Sequence, residues 1–193
     1  MFIKSGFLAT VFLVGSTLIL GGCGAETPED SKQETVNDEA VELGSTEQAV
    51  YIGWTPYTSE ERAPIVCDGG SLPTQAQCNG SYCDNMRLNC QDSGAYRGGS
   101  YWTPYFSDNG IPVFRLCDPG YWMTGLACTG KYCDNLSLQC TYMENLSPKN
   151  CFWSGWHSEE NTGLLNFGPG VYPTGAWCRG DYCDDIKYYL CQP

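Results

Sequence analysis

The chain repeats itself at an interval of fifty residues. Cys78, Cys128 and Cys178 stand 50 apart, and so do Tyr82, Tyr132 and Tyr182, and Cys83, Cys133 and Cys183. A period of this size marks an architecture stacked from copies of one small unit that cannot bury its apolar face alone. Each copy opens on an aromatic segment: Trp54-Thr55-Pro56-Tyr57, Trp102-Thr103-Pro104-Tyr105, then Trp153-Ser154-Gly155-Trp156. A polar loop follows, then a short apolar run (Ile65-Val66-Cys67, Val113 to Cys117, Leu164 to Phe167) and a Gly/Pro turn. A run holding Thr74, Thr124 or Thr174 leads to the first motif cysteine. The last segment alternates, with Met86, Leu88 and Cys90 on one face and Arg87 and Asn89 on the other. Period-two alternation predicts half-buried strands.

No stretch carries a helical period. The expected class is therefore all-β, with about four short strands in each of three disulfide-rich units, roughly 51–98, 99–148 and 149–193. Units this small need a pooled core. A pseudo-threefold β-prism of three four-stranded sheets, a β-trefoil and three separate beads all satisfy the pattern. Residues Trp102, Cys117, Gly120, Gly125, Asp134, Asn135, Leu138 and Cys140, with counterparts in the first unit, resemble the repeats of the vitelline membrane outer layer protein I family. That resemblance implies a β-prism and a setting of carbohydrate-rich extracellular coats. The Cys-x-Gly-x-Tyr-Cys insert departs from the family pattern, and Phe167 stands where the third unit should carry its Cys.

The N-terminus predicts export. Lys4 precedes an apolar run from Phe7 to Leu20, the length of a signal-peptide core and short for a permanent span. Leu20-Gly21-Gly22-Cys23 resembles the lipobox of bacterial lipoproteins, which implies a signal peptide over 1–22 and acylation of Cys23. Stable anchoring takes two or more acyl chains, such as diacylglycerol plus palmitate. Residues 23–50 hold eight acidic residues, one Lys and no aromatic, the composition of an extended, self-repelling tether. The expected location is the cell envelope, at the outer membrane or cell surface, with the membrane as a partner through lipid only.

Thirteen cysteines minus Cys23 leave twelve, an even number suited to disulfides in an oxidising compartment. Metal is disfavoured: His157 is the single His, and three all-thiolate sites would have to survive oxidation. A redox role would need a Cys-x-x-Cys pair, which is missing. The third unit lacks the Cys of the second strand but gains Cys151, so both positions should partner the terminal Cys of their unit. The predicted bridges are Cys67–Cys90, Cys117–Cys140 and Cys151–Cys191, with Cys78–Cys83, Cys128–Cys133 and Cys178–Cys183 closing small loops.

The folded part, 51–193, has fourteen acidic residues against eight basic ones, which argues against nucleic acid. No nucleophile–base pair, phosphate loop or metal quartet points to catalysis, and Glu159 and Glu160 read as a solvated loop like Glu60 and Glu61. No cofactor is implied. Abundant Tyr and Trp beside Asn and Asp suit sugar: aromatic faces stack on the rings and side-chain oxygens meet the hydroxyls. Repeated Trp54, Trp102 and Trp153 read as core. The candidate ligand residues are the non-repeated Trp122, Trp177, Tyr121 and Tyr172, with Asp134 and Asn135 of the repeated motif. An Asx-turn is the structural reading of Asp84, Asp134 and Asp184. The expected function is a non-enzymatic surface module that binds carbohydrate or extracellular matrix. The rivals are a scaffold, a protein-partner module or an inhibitor, since the tips Asn79/Ser81, Thr129/Lys131 and Arg179/Asp181 differ between units.

Overall fold

The structure, a computed structural model, describes residues 50–193 apart from Pro112. The signal segment, Cys23 and the acidic stretch through Ala49 lie outside the described residues. Thirteen strands and four single 3₁₀ turns make up the fold, and no α-helix occurs among the described residues. The first unit contributes β1 (Val50–Tyr51), β2 (Gly53–Trp54), β3 (Ile65–Cys67), β4 (Ser71–Asn79) and β5 (Asn85–Asp92). The second contributes β6 (Arg97–Trp102), β7 (Phe114–Leu116), β8 (Tyr121–Thr129) and β9 (Asn135–Met143). The third contributes β10 (Lys149–Trp153), β11 (Leu164–Asn166), β12 (Tyr172–Arg179) and β13 (Asp185–Gln192).

These strands form three sheets around one core. Sheet I runs β11-β4-β5-β2, sheet II β1-β3-β8-β9-β6, and sheet III β10-β13-β12-β7. The fold is an all-β, three-sheet arrangement clamped by disulfides, but no sheet belongs to a single unit. Each unit gives its three-residue strand to the next unit's hairpin: β3 pairs antiparallel with β8, β7 with β12, and β11 with β4. The cause is the tight turn after each short strand. Ser71 N–H donates to Asp68 O at 2.6 Å and Tyr121 N–H to Asp118 O at 2.9 Å, turning the chain through a corner into a different sheet. The units interlock in a closed ring and cannot be beads.

The shared threonines mark where the donated strands dock. In all three hairpins the register shifts at Thr74, Thr124 or Thr174, a β-bulge at the same place. The Thr74 carbonyl accepts from Phe167 N–H (3.0 Å) and the Thr174 carbonyl from Cys117 N–H (2.7 Å). Gly175 follows its bulge because a Cβ there would come within 2.6 Å of Arg115 O on the incoming strand.

The core is Met86, Leu88, Met123, Leu126, Leu136, Leu138 and Ile186 with the bridged cysteines. Fully burying a side chain of this size contributes about 1.5–3 kcal/mol. The six bridges are Cys67–Cys90, Cys78–Cys83, Cys117–Cys140, Cys128–Cys133, Cys151–Cys191 and Cys178–Cys183. Two of them staple neighbouring sheets. Cys67–Cys90 joins sheet II to sheet I, and Cys117–Cys140 joins sheet III to sheet II, with Cα atoms 5.4 and 5.5 Å apart. Cys151–Cys191 instead links adjacent strands of sheet III.

Triplets of equivalent residues occupy the two ends. At the base, Leu72 and Trp122 are fully buried and Tyr172 packs against them. At the apex, the three Cys-x-Gly-x-Tyr-Cys loops converge, and the rings of Tyr82, Tyr132 and Tyr182 meet with centroids 5.1–5.2 Å apart.

Candidate functional site

Trp122 is not a ligand residue. It is fully buried in the base, its indole N–H reaches Leu146 O at 3.4 Å, and Tyr172 packs edge-on against it at 5.9 Å. Trp122 is non-repeated only in its type, since Leu72 and Tyr172 stand at the same position of their units. Tyr121 lies half-buried between Tyr101 (5.3 Å) and Tyr142 (5.5 Å). Burial raises the Tyr101 phenol above its ordinary range, an effect opposed by the Asp118 N–H that its oxygen accepts at 2.8 Å. The sequence candidates therefore fall in separate places: Trp122 and Tyr172 in the base, Tyr121 on sheet II, Trp177 on sheet III, Asp134 and Asn135 at the apex.

The apex loops are built as rigid tips. Gly80, Gly130 and Gly180 adopt φ of +78 to +84°, and a Cβ on any of them would overlap the following Asp side chain. The Tyr and second Cys of each loop also have positive φ. The Asx-turn reading is corrected here for Asp84 and Asp134. Asp84 Oδ1 accepts from the Asn85 side-chain amide at 2.6 Å, and Asp134 accepts from Asn135 in the same way, rather than from backbone amides. These carboxylates are engaged in holding the loop. Bridged sulfurs touch neighbouring carbonyls, Cys133 Sγ lying 3.0 Å from Asp84 O and Cys183 Sγ 3.2 Å from Asp134 O. Lys131 Nζ lies over the Tyr132 and Tyr182 rings at 4.9 and 5.4 Å.

Glu159 is a structural acceptor, not a freely solvated loop residue: it takes the Tyr82 backbone N–H at 2.9 Å. Burial lowers the His157 imidazole below its ordinary range, partly offset by the Glu159 charge. Burial raises Asp184, and Asp185 beside it adds to the effect. Cys78, Cys83 and Glu159 cluster closely enough to suggest a metal site, but the two sulfurs are bonded to each other and offer no thiolate.

The feature built for contact is the outer face of sheet III. In β13, Ile186, Tyr188 and Leu190 are buried, which turns Lys187 and Tyr189 outward. In β12, Ala176 and Cys178 are buried and Trp177 faces out. Register then sets Trp177 opposite both Lys187 and Phe114, and Trp153 opposite Tyr189. The rings form one cluster: Trp153–Trp177 at 5.6 Å, Trp156–Trp177 at 5.9 Å, Phe114–Trp177 at 5.7 Å and Trp153–Tyr189 at 4.9 Å. All five rings are half-buried to exposed. The reading of the repeated tryptophans as core is thus corrected: Trp54 is 36 % exposed and Trp102 and Trp153 are half-exposed, all on strands at a sheet edge. The alternation Ile186-Lys187-Tyr188-Tyr189-Leu190 already separates an inner from an outer face, and was the signal for this site.

From the platform a groove of about 230 Å³ runs toward sheet II, lined by Tyr189, Leu116, Pro119, Pro148 and Tyr121. No family model, no curated protein and no solved structure matches the chain.

Proposed function

We propose that the chain is an exported, lipid-anchored module that binds carbohydrate on the outer face of sheet III, without catalysis. The observation that carries this reading is the exposed ring cluster of Trp153, Trp156 and Trp177 with Phe114 and Tyr189. Sugar rings present apolar C–H faces that pack on indoles, and a rigid sheet holds those indoles without an ordering cost on binding. The sequence resemblance to vitelline membrane outer layer protein I repeats supports carbohydrate-rich surroundings. Acylated Cys23 would tie the module to the cell envelope, and residues 24–49 would space it from the membrane. A protein partner at the apex is the second reading, favoured by three rigid tips of differing sequence.

The test is a glycan and polysaccharide array probed with oxidised residues 45–193, which contain the whole described core and all six bridges. Binding that is weakened in Trp177→Ala and lost on reduction supports the reading. Silence on every glycan removes it and directs attention to the apex.

A further inference from the structure

Two of the three sheets stack a cation on their outward aromatics at the same register. On sheet III, Lys187 stands opposite Trp177, and its Nζ lies 4.0 Å from the Trp177 ring centre, 4.5 Å from Trp156 and 5.0 Å from Trp153. On sheet I, Arg87 stands opposite Gln77, and its guanidinium carbon lies 4.5 Å over Trp54 and 4.6 Å over Tyr57. On sheet II the equivalent pair is Ala127 and Ser137, with no charge.

Neither cation has an acidic partner among the described residues. The one ion pair among the described residues is Arg179–Asp185 at 3.0 Å. Arg87 donates its Nε–H to Gln77 Oε1 at 2.8 Å, which leaves its terminal N–H groups without a protein acceptor among the described residues. The Lys187 ammonium likewise has three donors and no protein acceptor there. In a folded part with fourteen carboxylates to eight basic groups, two unpaired cations held over indoles are placed against the local charge balance. Aromatic faces hold such a cation in position while leaving its donors outward.

We infer that these are two subsites for an anionic glycan, one on sheet III at Lys187 and one on sheet I at Arg87. The inference rests on the carbohydrate reading and names its ligand class. Each subsite pairs the sugar's carboxylate or sulfate with the stacked cation, and the sugar ring packs against the aromatic surface that the cation leaves exposed. The guanidinium suits bidentate pairing and the ammonium a single point contact. An acidic peptide would satisfy the cation but supplies a saturated ring for the flat aromatic face only where it carries proline. The glycan is thus the better fit.

The experiment is titration calorimetry of oxidised residues 45–193 with a hexagalacturonate, its full methyl ester, a heparin hexasaccharide and polyglutamate. An acidic hexasaccharide is expected to bind with two equivalents per chain, and the methyl ester about tenfold or more weaker than the galacturonate. Lys187→Gln and Arg87→Gln should each remove one equivalent, while Lys131→Gln at the apex should remove none. Equal binding of galacturonate and ester, unaffected by Lys187→Gln and Arg87→Gln but lost in Trp177→Ala, would overturn the anionic assignment and leave the carbohydrate reading standing. Polyglutamate binding as tightly as the sugars would replace the ligand class with acidic protein. No binding of either acidic sugar would overturn the inference, and the array decides separately whether the broader reading survives.

Discussion

Phe167 packs against Tyr188 with ring centroids 5.1 Å apart, at the one seam between neighbouring sheets that no disulfide crosses. At the other two seams the equivalent positions hold Cys67 facing Cys90 and Cys117 facing Cys140. Leu190, fifty residues after Cys140, stands at the position equivalent to Cys90 and Cys140 and is buried in the same core cluster as Phe167. The double substitution Phe167→Cys with Leu190→Cys is therefore expected to form a seventh bridge. Such a crosslink contributes about 2–4 kcal/mol, reduced by the lost packing of two buried apolar side chains. Thermal unfolding without reductant should show a higher midpoint than in either single variant. A lower midpoint, with the new thiols still free by labelling, would mean that the third seam is not equivalent to the other two.

Trp122 and Trp177 separate stability from binding. Trp122 is fully buried, so Trp122→Ala should cost about 3–5 kcal/mol in denaturant unfolding. Trp177 is outward and half-buried, so Trp177→Ala should cost on the order of 1 kcal/mol or less while removing glycan binding at sheet III. A Trp122→Ala variant that kept full stability would refute the base packing.

The contrast also shows what local sequence encodes. The three hairpins and apex loops were legible because alternation, turn residues and the fifty-residue period are written in contiguous residues. The strand exchange was not, because a run as short as Ile65-Val66-Cys67 carries the same pattern whichever hairpin receives it. The tryptophans misled for a related reason. Recurrence of Trp54, Trp102 and Trp153 records a shared place on an edge strand of each sheet, not burial. Trp122 differs from Leu72 and Tyr172 in size, not in setting. Lys187 was readable in principle, since its buried neighbours Ile186 and Tyr188 fix its direction. Its three indole neighbours come from β10, β12 and the loop after β10, and only the folded register brings them together.

The apex glycines make a sharper test of loop geometry. Gly130 has φ +80°, and a Cβ there would overlap Asp134 Oδ1 and lie 2.6 Å from the Asn135 amide nitrogen. Gly130→Ala should destabilise by roughly 1–3 kcal/mol through backbone strain and this overlap together. Adding Asp134→Ala removes the closer overlap but neither the Asn135 contact nor the strain, so the double variant should lose less than the sum of the two single losses. Strict additivity in urea unfolding would mean that the Asp134 side chain does not fold back over Gly130.

His157 gives the fold a predictable acid sensitivity. Its backbone bridges Ile186 as that of Thr58 bridges Met86 in the first unit, and its side chain is buried at 3 % exposure with Nε2 unpartnered. Burial holds its pKa below the ordinary value near 6.5. Between those two pKa values the unfolded chain binds the proton and the folded chain does not, so stability falls as pH drops below about 6.5 and levels off under the folded pKa. Asp184 acts with the opposite sign. Its raised pKa means that the folded state holds a proton more tightly, and that contribution is lost as pH rises above the ordinary carboxylate range. His157→Thr, which restores the residue of the first unit, should flatten the stability profile between about pH 7 and pH 5 while leaving the Asp184 contribution intact. A slope unchanged in that variant by urea unfolding at stepped pH would show that other groups carry the acid sensitivity, and that the His157 imidazole titrates alike in both states.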